Sequence, residues 1–160
     1  MRRVATSLRN HSRGVDYPTL ADLRYQIRRF FRVREVAARA AGVAPQQYLL
    51  LLQVKGSDGR EAPTIGALAE RLQTQHHNAV QLVDRLAERG MVARRRDVRD
   101  RREVLVELRP AGEAVLRRLA RHSIAELGTE GPALVASLTR LVRKSMDGRR
   151  LLRTKRRGGV

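Results

Sequence analysis

The chain contains no cysteine among its 160 residues. That absence excludes disulfides, thiolate zinc sites and thiol redox sensing, and leaves cysteine usage silent about compartment. Acid is scarce: 16 Asp and Glu stand against 34 Lys and Arg, for a formal net charge of +18 and a pI near 11.7. Such a balance concerns solubility and partners rather than fold. Its natural partners are polyanions: DNA, RNA or an anionic membrane surface. No apolar run approaches membrane-spanning length. The opening MRRVATSLRNHSRG lacks the apolar centre of a signal peptide, so a cytoplasmic protein is expected. Catalytic signatures are missing as well. There is no P-loop, no nucleophile elbow and no carboxylate pair flanked by apolar sequence. Ser57, Ser123 and Ser145 have no partner histidine in sequence context. Neither an enzyme nor a cofactor is expected.

What is present centres on Thr64 to Leu108. TIGALAERL reads as a short helix that Thr64 can cap, with Ile65, Leu68, Ala69 and Leu72 on its inner face. Gln73 to Gln75 is long enough only for a turn. In HHNAVQLVDRLAERG, Ala79, Leu82, Val83 and Leu86 repeat at helical spacing, and Gly90 closes the helix. A strand start follows from Met91 to Arg96, then the charged loop Asp97 to Arg102. A second strand runs from Glu103 to Leu108, with Val104, Val106 and Leu108 facing one way. The order is a helix-turn-helix followed by a two-stranded wing. The fold class is mainly α with a small β-wing.

The remaining chain is helical around that segment. A first helix is expected from Pro18 or Thr19 to Ala41, capped by Asp16 or Thr19 and ended by Gly42. A second, apolar helix starts at Pro45, and a loop follows from Lys55 to Arg60. Ala62 and Pro63, with Glu61, are expected to hold a short strand or bridge. Pro110 opens a helix that is expected to break at Gly128 to Pro132. A final helix then ends near Met146. Residues 1–15 and 147–160 read as basic flexible arms around one domain at 16–146, whose winged core is 45–109. The N-terminal arm is either a solvated tail or a phosphate-touching one.

Asp97-Val98-Arg99-Asp100-Arg101-Arg102, the Val-rich strand after it and Gly112 resemble the D-x-x-D-R-R…L-T-x-x-G pattern of MarR-type transcriptional regulators. Leu82 to Val92 (LVDRLAERGMV) is similar to that family's recognition-helix exit, and the helix order agrees from Pro18 to Met146. One departure is Arg109, where the family usually carries a capping Thr. The resemblance implies a homodimer of winged helix-turn-helix subunits, interlocked by helices 18–41 and 110–146. It implies repression at a palindromic operator, and in many members release by a small organic, often aromatic, ligand.

DNA recognition also follows from the residues. The second helix of a helix-turn-helix enters the major groove by its N-terminal residues. Here those are His76, His77, Asn78 and Gln81. Asn and Gln donate and accept together, which suits the adenine edge, and Val80 is placed for a thymine methyl. The plainer reading is that Asn78 and Gln81 are ordinary polar residues in contact with water. Arg85 suits phosphate, or packing on the wing. In the wing, arginine fits a narrow, strongly negative minor groove. By the resemblance Arg102 reads that groove and Asp100 positions it, while Arg99 and Arg101 meet phosphates. The plainer reading is a solvated hairpin tip. Adjacent His76 and His77 point apart, and with His11 and His122 they make no metal signature, so no metal is expected. Phe31 and Tyr48 are candidates for a ligand pocket, against an ordinary core role.

Overall fold

The structure is a computed structural model. It describes residues 16–57, 62–96 and 103–157, with side chains up to residue 146. Asp16 opens the first helix, α1 (Tyr17–Ala40). Its carboxylate accepts from the Thr19 amide at 3.1 Å and the Thr19 hydroxyl at 2.5 Å, the geometry of an N-cap. Gly42, at φ +80°, ends the helix as the sequence predicts, and the Val43 amide closes on the Ala38 carbonyl at 3.1 Å. Helix α2 (Pro45–Gly56) follows, started by Pro45 and by Gln47, whose side-chain oxygen takes the Ala44 amide at 2.9 Å. Then come α3 (Ile65–Arg71), α4 (His76–Glu88), strand β1 (Val92–Arg96), strand β2 (Val104–Leu108) and α5 (Pro110–Arg157).

Two compact units divide these elements: residues 33–125, and residues 1–32 with 126–160. In the first unit Leu50 and Leu51 of α2, Leu68 of α3, Val83 and Leu86 of α4 and Val106 of β2 are fully buried. Burying each such side chain contributes on the order of 2 kcal/mol. The strands pair antiparallel with Val92 opposite Leu108 and Arg96 opposite Val104. Val106 faces the core as alternation predicts. Leu105, on the other face, is buried too, because Thr64 bridges to it and the Pro63 carbonyl accepts from the Val106 amide at 3.0 Å. The sequence predicts a short strand or bridge at Glu61 to Pro63; the structure has the bridge one residue further on, at Thr64, and Glu61 lies outside the described residues.

In the second unit the described parts of α1 and α5 run antiparallel. Asp16 pairs with Lys144, Asp22 accepts from the Ser137 hydroxyl, and Arg29 meets Glu130 at 2.7 Å. The Lys144 ammonium, followed by Thr19, holds the Asp16 carboxyl down at about 2. The Ser137 hydroxyl lowers Asp22 likewise.

The structure corrects two expectations about the last helix, its break and its end near Met146. No break occurs at Gly128 to Pro132: α5 is continuous through both, past Met146 to Arg157. Pro132 deprives the helix of one hydrogen bond, the one to the Gly128 carbonyl. The bond from Glu130 to Arg29 holds that same turn against α1. Among the described residues no helix is long and apolar enough to cross a membrane.

Candidate nucleic-acid interface

The interface is built on the turn between α3 and α4. Thr64 caps α3, its hydroxyl accepting from the Ala67 amide at 3.2 Å. At the other end Gln73 adopts φ +50°, and the Thr74 amide reaches back to the Ala69 carbonyl at 3.0 Å. This is the glycine-type helix ending with a side chain in the left-handed region, at a cost of about 1 kcal/mol. Gln75 is then extended and starts α4. Four residues, Leu72 to Gln75, thus reverse the chain between two helices, where the sequence predicts a turn at Gln73 to Gln75.

Helix α4 buries Ala79, Val83 and Leu86 against α2 and α3 and leaves the opposite side to solvent. His76, His77, Asn78, Gln81 and Arg85 are all exposed. The Asn78 amide nitrogen donates to the Thr74 hydroxyl at 3.2 Å, which orients the carboxamide and leaves its oxygen unused in that bond. Free backbone N–H groups in the first turn add positive potential where these side chains emerge. Val80 is half-buried and packs against the core.

Arginines of β1 surround this helix. Arg94 bonds Asp84 at 2.6 Å, and the same nitrogen also donates to the Val80 carbonyl at 3.4 Å, so the strand is fastened to the middle of α4. Sequence reasoning missed this pair, because nothing in the spacing of Asp84 and Arg94 reveals a contact made only by folding. Arg95 meets Glu107 of the neighbouring strand at 2.5 Å. Arg96 is exposed, and among the described residues it has no partner. The wing candidates Arg99, Asp100, Arg101 and Arg102 lie outside the described residues.

Two further contacts fix the base of the interface. Arg89, at the end of α4, donates to the Gly42 carbonyl at 2.7 Å. Gly112 lies against Met91, where an added Cβ would stand 2.2 Å from the Met91 carbonyl oxygen. That same oxygen accepts from the Arg109 amide at 2.9 Å. The glycine of the family pattern therefore has a steric reason here. The missing capping Thr is offset by Pro110 in the first turn and by Glu113, which meets the helix N-terminus and bonds Lys55 at 2.5 Å.

The pocket candidates fall on different units and are described separately. Phe31 is 53% exposed, edge-on to Phe30 with ring centroids 5.7 Å apart. Tyr48 is buried with its hydroxyl 3.1 Å from that of Ser123. Among the described residues no cluster of three or more His, Asp or Glu is arranged to hold a metal ion.

Comparison with known proteins agrees with this geometry. Residues 41–103 match the family model described as the MarR family. AbsC, a MarR family transcriptional regulator from Streptomyces coelicolor, superposes with a TM-score of 0.63 at 20% identity, covering 81% of this chain and 88% of its own. Wild-type apo MarR from E. coli gives a TM-score of 0.63 at 20% identity, covering 82% and 96%. A mutant of S. aureus MepR, solved bound to an oligodeoxyribonucleotide, gives 0.59 at 16% identity, covering 81% and 97%. None of the curated proteins matches the chain's sequence. This likeness defines the fold, a mainly helical winged helix-turn-helix of the kind solved for MarR family regulators. Within this chain the sequence match to that family lies in residues 41–103, which hold the whole of the turn, α4 and β1.

Proposed function

We propose that the protein is a homodimeric, sequence-specific DNA-binding regulator that represses transcription from a palindromic operator in the cytoplasm. The observation that carries this reading is α4: its inner face is buried and a row of base-reading side chains, Asn78 and Gln81 flanked by His76, His77 and Arg85, stands exposed at its start. The fold likeness to a MepR mutant crystallised with an oligodeoxyribonucleotide supports it. Dimerisation is supported by the aliphatic stripe Leu127, Val135, Leu138, Val142 and Met146, each at least 47% exposed on α5. Two-fold symmetry in the protein calls for a palindrome in the DNA. In the wing, Arg102 enters the minor groove with Asp100 beside it, and Arg99 and Arg101 take phosphates. An organic effector, bound near Phe31 or Tyr48, would release the operator.

The charge of +18 favours a second reading, an architectural binder without an operator. Selection of bound sequences from random duplex DNA separates the two. A defined palindrome, bound several orders of magnitude tighter than random DNA, supports regulation. With a palindrome in hand, Asn78→Ala lowers its affinity about tenfold or more, the cost of a lost base contact. Recovery of no motif at all would sink the regulatory reading.

A further inference from the structure

The two acids at the start of α1 are both spent on α5: Asp16 on Lys144 and Asp22 on Ser137. The next acid, Glu35, bonds Arg39 at 3.5 Å. Arg24, Arg28 and Arg32 are left between them, one turn apart and all exposed. Among the described residues none of the three has an ion pair or hydrogen bond. Like charges at this spacing repel along a helix, and folding has turned Asp16 and Asp22 toward α5, while Glu35, just beyond the row, pairs with Arg39. Exposed aromatics accompany the row: Tyr17 and Tyr25 at 60% each, with Phe31. The row spans about 12 Å of helix. A B-form strand presents roughly three or four phosphates over that distance.

We propose that this face of α1 is a second phosphate-binding surface, occupied by duplex DNA outside the operator. The protein then holds DNA in two ways, by base contacts at α4 and by sequence-independent charge at α1. The proposal rests on the DNA-binding reading above, and it favours duplex DNA over other polyanions because the same chain carries the winged helix-turn-helix.

The test compares the full chain with a variant carrying Arg24→Gln, Arg28→Gln and Arg32→Gln, and with one carrying Lys at all three positions. Affinity for a long duplex is followed across salt. Three lost phosphate contacts flatten the slope of log affinity against log salt by about 3 per chain, which is about 40-fold between about 50 and about 200 mM salt. The Gln variant is expected to show that flattening, to keep its preference for cognate over shuffled sequence, and to melt as the parent does. The Lys variant is expected to recover the slope. An unchanged slope in the Gln variant overturns the proposal. So does an altered self-association constant with an unchanged slope, which assigns the row to a contact between copies. Loss of binding to duplex RNA or to phosphatidylserine vesicles, with DNA binding intact, also overturns it. A wild-type chain that prefers no operator defeats the proposed function instead, and the slope comparison on random duplex still stands.

Discussion

The two units are held together by opposite means. In residues 33–125 the interior is apolar, and helices and strands close over leucines and valines. In the helix pair of the other unit, the buried residues among those described are Thr19 and Ser137, both polar. The polar contacts across its seam are a hydroxyl–carboxylate bond and two ion pairs. Several of its aliphatic side chains, Leu127, Val135, Leu138 and Val142 among them, are exposed. A domain stabilises itself by removing apolar surface from water, and exposed ion pairs contribute little. The winged unit therefore carries its own stability, whereas the helix pair has surface still to bury and a reason to associate.

The largest effects expected from breaking this comparison lie in the winged unit. Leu50→Ala empties a fully buried site and Gly112→Ala drives a Cβ into the Met91 carbonyl. Each should cost about 3 kcal/mol in denaturant unfolding. A loss below about 1 kcal/mol for both would mean that the core is not where these contacts put it. Next comes the other unit. Leu138→Ala, at a residue 50% exposed, should leave the stability of an isolated chain within about 1 kcal/mol yet weaken self-association about tenfold. Sedimentation across concentration reads this, and an unaltered dissociation constant removes α5 from the dimer seam. Thr64→Ala should cost about 1 kcal/mol by uncapping α3, visible as a shift in the unfolding midpoint.

The smallest effect is confined to acid. Asp16 titrates at about 2 in the folded chain, below the ordinary carboxylate value, so its contribution is complete above about pH 4 and fades as pH falls through about 2. Stability of wild type and Asp16→Asn should differ near neutrality and converge at the acid end of that window. A gap that persists at pH values below about 2 would show that Asp16 acts through shape rather than charge.

Much of the winged unit was legible because its signals are local. Thr64, Gly42 and Gly90 mark helix ends by side-chain and backbone chemistry, and the period of Ala79, Val83 and Leu86 fixes which side of α4 faces out. The wing motif pointed to the same family whose model matches residues 41–103. What escaped was decided at a distance. Leu105 is buried because Thr64 reaches it across the chain, and Pro132 stays helical in a turn that Arg29 holds through Glu130. The partnership of Asp84 with Arg94 left no pattern along the sequence. The left-handed Gln73 also escaped, since that conformation ordinarily announces itself as glycine.

Between the last residue of α4 and the first of β1 stand only Arg89, Gly90 and Met91. Gly90 sits at φ +66°, the Met91 amide returns to Leu86 at 2.9 Å, and the Met91 carbonyl holds the Arg109 amide while Gly112 presses on it. The joint has no slack, which makes it sensitive to chain length rather than to composition. One residue inserted after Gly90 shifts β1 by half a pleat and exchanges its inner and outer faces. Arg94 would then leave Asp84, and Val92 would leave the core. Drift in this lineage can therefore change the letters between α4 and the wing far more readily than it can change their number.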